Sequence, residues 1–146
     1  MTHETVQIVR YQPEDHRHLL HFLIGIQLGN RASAENLMYC LLSRNVSVLV
    51  AKLEDNIVGY GESHKNNGGS VYFHRAAVHR LHRQKGIFNQ ILEKVVSNAG
   101  RAEITAEVSR DAKHLRSMLR AGFEIAKPLD GYRYQLVRPK QKLFHW

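Results

Sequence analysis

Arg83-Gln84-Lys85-Gly86-Ile87-Phe88 joins an extended apolar run to an amphipathic helix, and its residue types suit an anion. Upstream, Ser70 to Val78 is rich in aromatic and β-branched residues and reads as a strand. Downstream, Ile87, Phe88, Ile91, Leu92, Val95 and Val96 recur at helical spacing, with polar Asn89, Gln90, Glu93 and Lys94 between them. A basic, glycine-containing turn from strand to helix aims several backbone N–H groups, and the positive end of a helix dipole, at one spot. A phosphate or pyrophosphate fits there, and Arg83 and Lys85 add full charges. The rival reading is a solvated charge cluster on an ordinary connection. His79, Arg80 and His82, just before the turn, either line the nucleotide end of such a site or face water.

The elements that must position this turn follow from periodicity. Thr5 to Arg10 reads as a strand. Glu14-Asp15 opens a helix carrying Leu19, Leu20, Phe22, Leu23 and Ile26, and acids suit the first turn. Ser33 reads as the N-cap of a second helix through Leu37, Met38, Leu41 and Leu42. Val46 to Leu53 and Ile57 to His64 form a hairpin around Glu54-Asp55-Asn56. Asn66-Asn67-Gly68-Gly69 turns the chain into the strand ending at Val78. After the helix from Ile87, Ala99-Gly100 is a stop, and Glu103 to Val108 is the next strand. Ser109 or Asp111 caps a short helix bearing Leu115, Met118 and Leu119, ending at Gly122. Phe123 to Ala126 and Tyr132 to Val137 are the last strands, with a turn at Pro128 to Gly131. The predicted order is β-α-α-β-β-β-α-β-α-β-β, a mixed α/β fold.

Residues 1–146 read as a single domain, with neither repeats nor a dividing linker. Hydrophobic content of 43% and charged content of 23% are ordinary for a soluble globular protein. The sequence has no membrane-length apolar run and no signal-peptide pattern, so a cytoplasmic location without membrane association is the default expectation. Cys40, the only cysteine, excludes an intramolecular disulfide and a cysteine-based zinc site. Its apolar neighbours predict a buried structural thiol. No His, Asp or Glu cluster has trustworthy metal spacing; His79 and His82 lack a third ligand. The net charge of +8 favours an anionic partner and leaves nucleic acid or an acidic protein surface open. Solubility charge is the plain reading of Arg138, Lys140 and Lys142.

Val78, Arg83 and Gly86 resemble a motif of the GNAT family of N-acetyltransferases. There a strand ending in Val leads through a short linker to Arg/Gln-x-x-Gly-x-Gly/Ala at a helix start. Phe88 stands where a small residue is commonest, and Gln84 where glycine often sits. The element order is the family's over essentially the whole chain. A second family signature, Asn-x-x-Ala…Leu-Tyr-x-x-x-Gly-Phe, is matched at Gly122-Phe123; Asp111 takes the Asn position and Met118 the Tyr position. The resemblance implies a GNAT acyl-CoA N-acyltransferase fold with acetyl-CoA as co-substrate and no metal. Its pyrophosphate would lie against Gln84, Lys85, Gly86, Ile87 and Phe88, with Arg83 at the loop entrance. Asp111 would help hold the pantetheine arm. The acceptor would be a primary amine on a small molecule or a peptide, attacking the thioester directly. Homodimers are common in the family.

Such chemistry needs a base, an oxyanion site and a leaving thiolate. The family's strand Glu is replaced by His74, and an imidazole takes up a proton near neutral pH. The alternative is a half-buried strand histidine with a local hydrogen bond. Glu62 is the alternative base or an amine-binding carboxylate, although an isolated carboxylate reads most simply as a solvated strand residue; Glu107 has the same standing. Backbone N–H groups of Ala76, Ala77 and Val78 are the family's oxyanion donors, which requires this strand and the Glu103–Val108 strand to splay apart. Met118 cannot protonate the thiolate as the family's Tyr does. Tyr132 or Tyr134 stands in, or solvent does, and packing on a terminal strand is the plainer reading of both tyrosines. Asn30, Arg31 and Glu35 either touch the acceptor or merely connect helices. Two other functions stay open: a catalytically weakened CoA-binding sensor or scaffold, and a nucleic-acid-associated acetyltransferase using the basic surface.

Overall fold

A computed structural model describes residues 5–28, 31–110 and 113–141. Strands β1 (Val6–Arg10), β2 (Val46–Leu53), β3 (Asn56–Lys65), β4 (Val71–Val78), β5 (Ile104–Ser109), β6 (Glu124–Pro128) and β7 (Arg133–Arg138) form one mixed sheet. Its order is β1-β2-β3-β4-β5-β7-β6, and β4–β5 is the parallel pair. Helices α1 (His16–Leu23), α2 (Arg31–Leu41), α3 (Ile87–Ala99) and α4 (Lys113–Arg120) complete the order expected from the sequence.

The helices divide between the two faces of the sheet. On one face, Ile87, Ile91, Leu92 and Val95 of α3 and Met118 of α4 pack on Leu49, Val58, Phe73, Ile104, Ala106 and Leu136. On the other, Leu19, Phe22 and Leu23 of α1 and Leu37, Met38 and Leu41 of α2 cover Val48, Val50, Ile57 and Tyr60. Each fully buried aliphatic side chain stabilises the fold by about 1.5–3 kcal/mol. Strand alternation sends successive side chains to opposite faces, so one strand serves both cores. On β3, Tyr60 and Glu62 point toward the α1–α2 face, while Gly61 lies beneath α3. A Cβ on Gly61 would stand 2.6 Å from Cγ2 of Ile91, so α3 sits closer to β3 than any side chain there allows.

Several local expectations are corrected. Ser33 lies inside α2, because the helix already includes Arg31, so Ser33 is not its N-cap. Ser109 ends β5 and does not cap α4; Asp111 lies outside the described residues. Cys40 is exposed, because α2 buries Leu37, Met38 and Leu41 and turns Tyr39 and Cys40 to solvent. Asp15 is buried in a short 3-10 turn, Pro13–Asp15, that precedes α1. It accepts from the Gln12 backbone N–H at 2.9 Å and pairs with Lys52 of β2 at 2.5 Å, tying the start of α1 to the sheet. Burial raises its pKa, but these hydrogen bonds and the charges of Lys52 and His18 outweigh burial and hold it below the ordinary 3.8. No helix among the described residues is long and apolar enough to cross a membrane.

The close approach of α3 predicts a cost for any side chain at position 61. Gly61→Ala is expected to lower the free energy of unfolding by about 1–3 kcal/mol, the usual range for overpacking. Urea denaturation followed by circular dichroism measures it, and a midpoint equal to the parent's would contradict the packing described.

Candidate active site

β3 and β4 pair without interruption except at one place. Glu62 faces Arg75 and the next residue, Ser63, faces Phe73. His74 is therefore the extra residue of a β-bulge, a device that bends and twists a strand and frees one residue from the ladder. His74 and Arg75 both reach the face that carries Glu62. His64, two residues beyond Glu62 on β3, shares that face.

The result is a compact cluster. His64 Nε2 lies 2.5 Å and His74 Nδ1 3.1 Å from the same oxygen, Oε2 of Glu62. The two imidazole nitrogens are 3.3 Å apart. Glu62 is only 2% exposed, whereas the histidine side chains are about a third exposed. An ionised carboxylate only accepts, so an imidazole nitrogen bonded to Oε2 is the donor, and both rings can fill that role only with their N–H groups facing each other. Where His74 Nδ1 donates, its Nε2 carries the lone pair of the neutral ring. The other oxygen, Oε1, has no hydrogen bond and faces Arg75 Nε at 3.7 Å. Tyr72 stacks on His74, with ring centroids 5.2 Å apart. Behind Glu62, Tyr60 packs edge-on against Phe22; burial first, then the Glu62 charge, pushes its phenol up to about 12.

The cleft beside the cluster is the gap between two parallel strands. β4 and β5 pair at Val71–Ile104, Tyr72–Thr105 and Phe73–Ala106, and pairing stops there, one residue before the bulge. The splay expected from the sequence is present. It opens a cavity of about 320 Å³ lined by His74, Ala76, Phe88, Glu107, Ser109 and His114 among others. Past Phe73, the β5-side backbone groups of β4 have no ladder partner. Met118 is buried on the inner wall.

At one end of the cleft lies the basic turn. Gly86 precedes α3 with φ +77°, a left-handed conformation that glycine adopts freely, and the space beside it is open. Gln84 also has positive φ, at 65°. The first α3 hydrogen bond runs from the Gln90 N–H to the Gly86 carbonyl. The N–H groups of Ile87, Phe88 and Asn89 therefore have no intrahelical acceptor. Arg83 spends its Nε on the Val78 carbonyl at 3.2 Å, which fixes the guanidinium where β4 ends. An anion at this turn would meet unpaired N–H groups, a helix dipole and that guanidinium together.

The structure thus brings His74, Ala76 and Phe88 to the cleft and gathers Arg83, Gln84, Lys85 and Gly86 at its end. Val78 and Ile87 point into the core, so only their backbones can face a ligand. Ala77 packs toward the α1–α2 core. Glu62 is corrected from a solvated strand residue to a buried one, because the bulge turns His74 over it and strand alternation puts His64 on the same face. Glu107 is exposed and pairs with Arg133 at 3.1 Å. Tyr132 is exposed, and Tyr134 lies under Arg110; neither lines the cleft. Glu35 lines a groove between α1 and α2, while Asn30 lies outside the described residues. The expectation that no His–Glu cluster has ligand spacing is also corrected: sheet register, not closeness along the chain, assembles Glu62, His64 and His74.

Two residues escaped the sequence reading. His64 was signalled by its two-residue spacing from Glu62 on a strand. His114 sits one helical turn before Met118, and its ring stacks on Phe88 with centroids 3.8 Å apart. The residue as a whole is exposed, but the stacked face of the ring is desolvated. That desolvation, and then the Arg83 charge, lowers its pKa below the ordinary 6.5.

Comparison with known proteins matches this architecture. The model of the acetyltransferase (GNAT) family matches residues 10–123. No curated protein sequence matches. Among solved structures, one described as histone acetyltransferase HPA2 and related acetyltransferase, from Corynebacterium glutamicum, is similar with a TM-score of 0.80 at 14% identity, covering 94% of this chain and 98% of that one. PH1933 from Pyrococcus horikoshii gives 0.75 at 19% identity, covering 95% and 100%. PaiA N-acetyltransferase from Thermoplasma acidophilum, solved with coenzyme A, gives 0.64 at 17% identity, covering 94% and 99%. At these identities the structures speak for the fold alone. The family model spans residues 10–123, most of the chain, so the chain belongs to the GNAT family of acetyltransferases.

Proposed function

We propose that this protein transfers the acetyl group of acetyl-CoA to a primary amine by direct attack. The observation that carries the reading is the alignment of three features along one cleft. The α3 N-terminus lies at its end, the unpaired edge of β4 runs along it, and the carboxylate-held His74 stands on its wall. The coenzyme A held by the Thermoplasma protein is the ligand chemistry this cleft suits.

In this reading the pyrophosphate lies against Gln84 to Phe88, with Arg83 and Lys85 beside it, and the pantetheine arm passes between β4 and β5. The amine nitrogen attacks the thioester carbonyl carbon. Negative charge grows on the carbonyl oxygen, and backbone N–H groups between Ala76 and Val78 stabilise it without reorganising. His74 Nε2 takes the proton of the amine, since its Nδ1–H is committed to Glu62. Glu62 is a positioning residue: its carboxylate lies behind both imidazoles, so it acts through His74 rather than on the acceptor. The C–S bond then breaks. Neither Met118 nor a neutral His114 is a competent acid, so solvent protonates the thiolate, whose pKa of about 8.5 makes it a tolerable leaving group.

Calorimetric titration of CoA, paired with thiol-release assays over an amine panel, tests the assignment. Gly86→Glu puts a side chain on a left-handed residue and an anion beside the phosphates. It is expected to keep a native circular dichroism spectrum and lose most CoA affinity. Arg83→Ala should weaken CoA by about 1.5–3 kcal/mol, the worth of one charge-assisted bond. His74→Ala should bind CoA as the parent does and turn over about a hundredfold more slowly or worse. Parent-like CoA binding by Gly86→Glu would remove the pyrophosphate assignment, and parent-like turnover by His74→Ala would remove the base.

Arg83→Ala carries a second readout. Removing a positive charge makes protonation of His114 easier, so its pKa should rise toward 6.5 while the share due to desolvation persists. Proton NMR titration of the imidazole C–H signals measures this, and an unmoved His114 resonance would place Arg83 elsewhere.

A further inference from the structure

Three ligand-type atoms converge where protons cannot satisfy them all. The triangle of His64 Nε2, His74 Nδ1 and Glu62 Oε2 has edges of 2.5, 3.1 and 3.3 Å. If both imidazoles donate to the carboxylate, their N–H groups confront each other across the third edge. If one turns its lone pair inward, it loses its bond to Glu62. A cation among the three atoms satisfies every edge at once.

We infer that Glu62, His64 and His74 form a binding site for a divalent transition-metal ion of the zinc class. The donor set is two imidazoles and a carboxylate, the mixed nitrogen–oxygen set that such ions favour over magnesium or calcium. With metal–ligand bonds of about 2.0–2.2 Å, tetrahedral neighbours stand roughly 3.3–3.6 Å apart. The two longer edges lie at or within a few tenths of an ångström of that spacing. The shortest opens by a small rotation of His64, whose side chain is 35% exposed. All three ligands sit on paired strands rather than on loops, so the triangle is held by the ladder and the bulge. The fixed ligand, Glu62, is buried, and its other oxygen is turned toward Arg75. The histidine edges remain open to solvent, which leaves an entry path and a fourth position for water.

This inference goes beyond the acetyl-transfer reading and does not require it. Were that reading to hold, the metal would occupy Nδ1 of His74, move the ring proton to Nε2, and so remove the lone pair that accepts the amine proton. The site would then be inhibitory, taken by metal in place of catalysis.

The test uses the untagged, metal-stripped chain of residues 1–146 without acetyl-CoA, so failure of acetyl transfer does not bear on it. Zinc titration by calorimetry is expected to give one site at about micromolar affinity or tighter. Cobalt(II) substitution should give the intense visible bands of a four-coordinate ion. His64→Ala and His74→Ala should each weaken zinc at least about tenfold and abolish those bands. Glu62→Gln removes a buried charge and risks misfolding, so the partly exposed His64 is the deciding variant. A His79→Ala/His82→Ala double variant, which removes the half-buried histidine pair before the basic turn, should bind zinc as the parent does. The proposal is overturned if His64→Ala keeps parent affinity, if binding disappears in the His79/His82 variant, or if the parent takes up no zinc at about 100 µM.

Discussion

Between Phe73 and Arg75, β4 carries one residue more than β3 can pair, and much of the site depends on that surplus. The bulge at His74 keeps β4 on β3 up to Val78, while the parallel pairing to β5 ends at Phe73. A parallel pair that parts in this way leaves a cleft inside a sheet and a row of backbone donors along one wall. The same extra residue turns His74 onto the face where Glu62 and His64 already stand. Cleft and cluster therefore have one origin.

The cluster joins burial to access. Glu62 is sealed beneath two imidazoles, and its charge is met by hydrogen bonds rather than by water. A buried carboxylate in that position orients what covers it. The basic turn supplies the opposite polarity, with Arg83 anchored to Val78 at the end of the strand that bears His74. Phe88 stacks on His114 and narrows the cleft between α3 and α4. Met118 lies buried behind that stack, on the inner wall of the cleft.

Much of this was legible in the sequence because it is local. The apolar spacing of Ile87, Ile91 and Val95 predicts α3, and the run Val46 to Leu53 coincides with β2. What was not legible depends on register. Glu62 and His74 are twelve residues apart and meet only because β3 and β4 pair with a bulge, which hydrophobic alternation does not encode. Glu62 therefore read as a solvated carboxylate. Cys40 read as buried because its neighbours are apolar, yet helix phase, not neighbourhood, decides exposure. Ser33 read as a cap because its side chain suits one, but α2 takes in Arg31 as well. The Phe88–His114 stack joins two helices across the cleft and leaves no trace in either helix alone.

The central claim is that acetyl-CoA lies between β4 and β5 with its pyrophosphate on the α3 N-terminus. Backbone amide NMR of the isotope-labelled chain, with and without CoA, tests this most directly. The account predicts that the largest shifts fall on Gln84 to Asn89 and on Ala76 to Val78, with β1 and β2 unmoved. Shifts confined to other elements, or none at millimolar CoA, would contradict it.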